Sequence, residues 1–414
     1  MKIRNQLQTL KGFRDFLPEQ AKKRQLLVAK IKEIFELWGY EPLETPTLES
    51  ASLFEGQIGE DEKLFFKFKD QGDRDVALRY DQTVPTARVL AQYRNKLKLP
   101  FKRYQIQSAY RAEKPQKGRY REFLQADADI FGVESPTADA EVIALSLDIY
   151  RKLGFKNAKV LINDRSLLKD FPYKAIVAID KIKKIGKEGV IKEIVSNKIS
   201  LGKAKEYLSI IENLKPNATI QTILDYLKNM GFDENWYEFD PTIARSFAYS
   251  SGPIWEVVIP EYSVGSVLGG ERYDNLIESI SGVKIPATGF GLGFDRTLEA
   301  AEIVGLIPNS VAIATVLVTI FSKKLLPNSL DLAKKLRDEG IKVDIYSKDS
   351  AKIGAQLKYA NDKKIPFVII VGPDEAKSDE VTIKNMKSGE EKKVQMDKVT
   401  KICAAGKGQE IFTI

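Results

Sequence analysis

The sequence contains no histidine in its 414 residues and a single cysteine, Cys403. The first absence removes the side chain that most often serves as general base near neutral pH, as metal ligand and as pH switch. The second excludes an intrachain disulfide and any thiolate metal cluster. No apolar run approaches the roughly 20 residues of a membrane-spanning helix, and the opening MKIRNQLQTLKGFRDFLP lacks the apolar stretch of a signal peptide. A cytoplasmic protein without membrane contact is expected. Its chemistry must run on arginines, carboxylates and the substrate's own groups. With no histidine to titrate, side-chain protonation should change activity little between about pH 6 and 8. The chain does have the 43% hydrophobic and 29% charged content of a globular protein, in a length that allows two or three domains. A net charge of +8 suits a polyanionic partner without identifying one.

Residues 101–132, FKRYQIQSAYRAEKPQKGRYREFLQADADIFG, organise the rest. Two runs of alternating polar and apolar residues flank a basic turn punctuated by Pro115 and Gly118, which predicts a hairpin. Arg111 and Arg121 place cations near the turn, Glu113 is an acceptor, and Phe123 offers a flat face. Gln125, Asp127 and Asp129 alternate on the exit strand, so they share one face of a sheet. A guanidinium for phosphate, an aromatic for a base and nearby acceptors suit a nucleotide together with a small cationic substrate. The bland alternative is an exposed hairpin with solvated charges.

The segment YRAEKPQKGRYREFLQADADIFG resembles the second signature motif of class II aminoacyl-tRNA synthetases, in the form found in the histidyl-tRNA synthetase family. Other stretches resemble the same family in the same order. Residues 11–18, KGFRDFLP, match its N-terminal signature. A helical period over residues 18–38, closed by Gly39, leads into a Pro-bearing strand at 40–48. That unit resembles the first class II motif, which lines the dimer interface in the family. VALRYDQTV at 76–84, followed by a helix from about Pro85, resembles the segment that receives the amino acid's α-ammonium, through Asp81 and Thr83. A helix cap is the alternative reading of Asp81. Residues 245–256, RSFAYSSGPIWE, fall where the family's histidine-specific signature lies. Arg245 stands in the place of its catalytic arginine and Tyr249 in that of the first of two tyrosines, but the second tyrosine is Ser250. In Gly269–Asp274, GGERYD, Glu271 replaces the second glycine of the family's Gly-Gly-Arg-Tyr-Asp. TGFGLGFDR at 288–296 resembles the third class II motif, with glycines that let backbone approach a nucleotide and Arg296 for the γ-phosphate.

Lysine-rich helical periodicity marks residues 168–239 as an insertion, which in the family reaches toward the tRNA acceptor arm. Strand–helix alternation after residue 309 predicts a small mixed or parallel sheet, and 354–375 resembles the anticodon-binding domain of these synthetases. The expected architecture is an α+β catalytic core with the antiparallel class II sheet over 1–167 and 240–309, a helical insertion at 168–239, and a C-terminal α/β anticodon-binding domain at 310–414. The resemblance implies activation of histidine with ATP and Mg²⁺, transfer to tRNA(His), and a homodimer through the first motif, with no resident protein-bound metal. It gives Arg111 to the α-phosphate and carboxylate, Arg245 to the charge developing on the α-phosphate, and Arg296 to the γ-phosphate. Phe123, Glu113 and Arg121 complete the nucleotide subsite. Asp81, Thr83 and Gln125 take the α-ammonium, and Asp129 one imidazole nitrogen. Tyr249 is also given to histidine binding, and Tyr273 or a water reaches the other nitrogen. A catalytically silent paralogue, acting as a regulatory subunit of histidine biosynthesis or as a tRNA-binding sensor, is the alternative. Residues 313–414 and the three arginines speak against it.

Overall fold

The computed structural model describes residues 7–55, 64–116, 118–244, 249–308, 312–348, 352–396 and 398–399. Arg245 lies outside the described residues. The chain divides into two units, Met1–Asp15 with Arg24–Ile307 and Phe16–Lys23 with Pro308–Ile414. Among the described residues no helix is long and apolar enough to cross a membrane.

An eight-stranded sheet carries the first unit. Its strands, in chain order, are β1 (Glu41–Pro42), β2 (Phe101–Tyr110), β3 (Glu122–Phe131), β4 (Lys159–Asp164), β5 (Tyr237–Phe239), β6 (Pro253–Val258), β7 (Leu268–Arg272) and β8 (Ala287–Gly293). Across the sheet they run β1-β2-β3-β8-β7-β6-β4-β5. The six inner strands pair antiparallel, as the family's sheet implies, whereas the short edge strands β1 and β5 pair parallel with β2 and β4.

The two-residue repeat of the strands sorts side chains onto two unlike faces. One row runs through Tyr104, Ala128, Phe290, Gly270, Trp255 and Ile162, which stand opposite one another on neighbouring strands. It belongs to a continuous buried core with the helix Pro136–Leu153. That helix starts where the Ser135 side chain accepts from the Thr137 amide and stops at Gly154 in the left-handed region. Fully burying each large apolar side chain here contributes about 1.5–3 kcal/mol. The opposite face is polar and holds the site.

Two local readings change in the structure. Residues 40–48 do not form one strand: β1 ends at Pro42, and Leu48–Ser50 pairs separately with Asp75–Leu78 in a three-stranded sheet. Proline cannot donate to a ladder, and two of them break this stretch. The helix after Asp81 starts earlier than expected, at Thr83. Within 168–239, the helices Tyr173–Ile179, Ile182–Ser196 and Leu201–Asn213 enclose their own apolar cluster around Ile179, Ile194 and Leu208. The helix Ala218–Asn229 instead joins the main core through Ile220, Ile223 and Leu227, and β5 extends the main sheet. The helices before Ala218 thus pack apart from the main core, and the one after it does not.

The second unit contains a five-stranded sheet in the order Val343–Ile345, Val316–Val318, Phe367–Ile370, Glu380–Asn385, Glu391–Gln395. Its first three strands are parallel and the terminal hairpin antiparallel, the mixed sheet that the strand–helix alternation implies.

Candidate active site

Three columns of residues make the polar face. From β2 come Arg103, Gln105 and Gln107; opposite them on β3 stand Asp129, Asp127 and Gln125; opposite those on β8 stand Gly289, Gly291 and Gly293. The next strand, β7, sets Glu271 across from Gly289 and Gly269 across from Gly291. The glycines have a physical cause beyond backbone freedom. A Cβ on Gly289 would overlap the Asp129 carboxylate, and one on Gly291 would meet Gln125 Nε2 at 2.5 Å. The acidic and amide side chains of β3 lean over the bare backbone of β8.

Arg103 Nη2 is 2.7 Å from Asp129 Oδ2, both side chains almost fully buried. Tyr273 donates its hydroxyl hydrogen to the other oxygen, Asp129 Oδ1. Gln125 Nε2 donates to Asp127 Oδ2 at 3.2 Å, while Asp127 Oδ1 and Gln125 Oε1 are buried without a hydrogen-bond partner. Asp81 caps the following helix by accepting from the Val84 amide at 3.0 Å, and it also lines the cavity. The cap and the site readings of Asp81 are thus compatible. Burial pushes the carboxyls of Asp81 and Asp129 above their ordinary range and that of Asp127 well above it, against the opposing pull of Arg103. A cationic ligand in the cavity would relieve Asp81 and Asp129, which line it.

The cavity holds about 660 Å³ and continues toward the turn of the β2–β3 hairpin. There the Arg111 guanidinium lies 4.2 Å from the Tyr80 ring centroid and 5.2 Å from that of Phe123. Arg296 reaches back from the helix Phe294–Ile303, donating to Gly118 O at 3.0 Å and Ser266 O at 2.9 Å. Gly118 has φ 71°, and a Cβ on it would strike Val264 at 2.6 Å. Burial, with Arg119 and Arg111 nearby, draws Arg296 below the usual arginine value. Glu113 faces Arg119 at 3.4 Å.

Of the residues singled out in the sequence, Asp81, Thr83, Arg111, Glu113, Phe123, Gln125, Asp129, Tyr249, Tyr273 and Arg296 line this one cavity. Arg121 does not. Its guanidinium donates to Glu113 O and Lys11 O, and its amide to Gly12 O, so it fastens the N-terminal stretch to the hairpin. Arg272 of the GGERYD stretch points to the core face, where Asp139 holds it through Nε at 3.0 Å and Nη2 at 2.7 Å. Sequence reasoning missed Arg103, although Arg103, Gln105 and Gln107 alternate with Tyr104 and Ile106 just as the acidic strand does. It also missed Asp295, which receives Arg14, Arg24 and the Leu124 amide, and Glu299, which accepts from Tyr120 and Tyr262 at 2.9 and 2.8 Å. These partners come from distant parts of the chain, so no local pattern announces them. Among the described residues no cluster of three or more acidic or thiol groups could hold a metal ion by itself.

Cations at the turn, an aromatic face beside them and buried carboxylates farther in form one continuous pocket on an antiparallel sheet. Comparison with known proteins yields the same pattern over nearly the whole length. The family model described as Histidyl-tRNA synthetase matches residues 12–297, and one described as Anticodon binding domain matches residues 315–405. A histidine–tRNA ligase of Wolinella succinogenes is 37% identical over 420 residues, covering 93% of this chain and 95% of that protein. One from Cytophaga hutchinsonii is 34% identical over 442 residues, covering 94% and 97%. The crystal structure of histidyl-tRNA synthetase from a Nostoc species superposes with a TM-score of 0.83 over 94% of this chain and 97% of that one, at 24% identity, a likeness of fold. The chain belongs to the histidyl-tRNA synthetase family of class II aminoacyl-tRNA synthetases.

Proposed function

We propose that this protein activates histidine with ATP and transfers it to tRNA(His), and that the pocket on the β2–β3–β8 face is where both steps occur. A carboxylate oxygen of histidine attacks the α-phosphorus of ATP, the bond to the bridging oxygen breaks, and pyrophosphate leaves. A terminal ribose hydroxyl of the tRNA then attacks the carbonyl carbon of the adenylate and AMP departs. Neither step needs a protein nucleophile; both need alignment and fixed positive charge. Arg111, braced by Tyr80, is assigned to the α-phosphate and the attacking carboxylate. Arg296, tethered to the hairpin turn, is assigned to the γ-phosphate. Phe123 offers its ring to adenine, with Glu113 beside it. Arg245 is assigned to the charge that develops on the α-phosphate. Asp81, Thr83 and Gln125 take the α-ammonium, and Asp129, flanked by Tyr249 and Tyr273, takes a ring nitrogen. Arg121 supports this wall from behind rather than touching the nucleotide. ATP enters as its magnesium complex, the metal held by the phosphates.

One observation carries the reading: the phosphate-binding type of cation and the buried carboxylates line a single cavity at opposite ends of one hairpin. The C-terminal unit supplies the tRNA-binding half, and a cytoplasmic homodimer joined through the first motif completes the proposal. Retention of Arg111 and Arg296 together with an anticodon-binding domain disfavours a silent regulatory paralogue. Histidine-dependent exchange of labelled pyrophosphate into ATP is the test. Exchange stimulated by histidine and by no other amino acid is expected; its absence in a folded preparation would overturn the proposal. Light scattering of the purified chain tests the dimer.

A further inference from the structure

The two positions at which the side-chain pocket departs from the family's signatures, Ser250 and Glu271, meet in the structure. The Ser250 hydroxyl donates to Glu271 Oε2. Glu271 is 6% exposed and lines the cavity with Asp129, Tyr249 and Tyr273. It shares a row of the sheet with Asp129: Asp129 stands opposite Gly289, and Gly289 opposite Glu271, so both side chains rise on the same face. Two strand spacings, about 10 Å between backbones, separate them, with a residue between that has no side chain. Arg272, the cation next to Glu271 in sequence, is turned to the other face and held by Asp139. The Tyr273 hydroxyl hydrogen is committed to Asp129.

We propose that Glu271, oriented by Ser250, is a specificity-determining residue of the amino-acid subsite. With Asp129 it accepts the two ring N–H groups of histidine, so that the ring is bound as the doubly protonated cation. The inference rests on the histidine-activating reading above and adds the protonation state of the substrate and a residue that reads it. An ionised carboxylate accepts about four hydrogen bonds, so one that already has protein partners can still take a ring N–H. A neutral imidazole presents only one N–H, and its bare nitrogen would face an acceptor. The charged and titratable surroundings agree. Arg103 on β2 faces Asp127 and Asp129 on β3, Glu256 stands on β6, Asp81 and the two tyrosines Tyr249 and Tyr273 close the pocket, and Arg165 lies close enough to Glu271 to feel its charge. Among the described residues of β2, β3 and β7, the polar face thus carries Arg103 against Asp127, Asp129 and Glu271.

The chain's lack of histidine makes the test direct. In a complex with ring-¹⁵N-labelled histidine, every imidazole nitrogen signal belongs to the ligand. At pH 8, where the free ring with its pKa of about 6.5 is neutral, the wild-type complex is expected to show the two closely similar nitrogen shifts of the imidazolium. Glu271→Gln, nearly isosteric, should show a neutral ring. In pyrophosphate exchange it should raise the KM for histidine about 10- to 100-fold with little change in kcat. Wild-type KM should climb with pH above the free ring's pKa, and that climb should flatten in the variant. Glu271→Gly should newly accept a ring-methylated histidine that the wild type rejects. A neutral ring in the wild-type complex at pH 8 overturns the inference whether or not the variants fold. So do identical pH slopes of KM in wild type and Glu271→Gln. Loss of all histidine binding by the wild type would count against the proposed function itself.

Discussion

Arg103 and Asp129 occupy directly opposed positions of β2 and β3, with Nη2 and Oδ2 2.7 Å apart and both side chains buried. The pair orients the carboxylate that lines the cavity and is proposed to take the histidine ring. Its two charges offset each other's burial, so removing one strands the other. Arg103→Leu is expected to cost about 3–5 kcal/mol in urea denaturation. Adding Asp129→Leu should restore part of that stability while leaving histidine unbound. A double variant as unstable as the sum of the two singles would show that the residues act independently.

The cations at the hairpin turn predict a graded series. Arg111→Ala and Arg296→Ala are expected to lower kcat/KM for ATP by about 100-fold or more, the scale for losing a preorganised charge donor. Arg245→Ala should show a similar loss concentrated in kcat. Arg121→Ala, whose side chain bonds carbonyls behind the cavity, should change stability more than ATP kinetics. Pyrophosphate exchange at varied ATP separates these outcomes. An Arg121 variant as impaired as the Arg111 variant would return Arg121 to the nucleotide subsite.

Asp127 predicts an unusual pH response. Its raised carboxyl value means that the folded state favours the protonated form. The corresponding stability is fully present below about pH 4 and is lost as pH rises through the raised value. Asp81 and Asp129 act in the same direction. Asp127→Asn is therefore expected to stabilise the ligand-free protein by about 1–3 kcal/mol at pH 7 and to flatten this decline. Histidine should bind it more weakly. Thermal melts across pH, with and without histidine, provide the check.

Asp295 gathers two arginines and a backbone amide at the mouth of the pocket. Asp295→Ala leaves those donors unmatched and is expected to destabilise the fold by about 1–3 kcal/mol. It should also raise the KM for ATP, because Leu124 adjoins Phe123. An unchanged KM in a folded Asp295→Ala protein would confine the residue to a structural role.

Much of this site could be read from the chain because its chemistry is local. The alternation of Gln125, Asp127 and Asp129 gave one face of β3, and the alternating glycines of β8 gave its neighbour. The order of motifs then fixed the family. What escaped depended on partners distant in sequence. Arg103 matters only because β2 sets it against Asp129. Glu271 and Ser250 stood out as departures 21 residues apart, yet nothing in the sequence shows that they touch. The packing of the helix Ala218–Asn229 was equally hidden: it joins the main core, whereas its predecessors enclose a cluster of their own.

The glycine column of β8 has a practical consequence for anyone wishing to load tRNA with a different amino acid. A pocket whose floor is main chain cannot be deepened or raised by exchanging a side chain there. Any replacement at Gly289 displaces Asp129, and one at Gly291 displaces Gln125. Retargeting must therefore work from the walls. The tractable positions are Ser250 and Glu271, whose side chains meet at the edge of the cavity rather than on its floor.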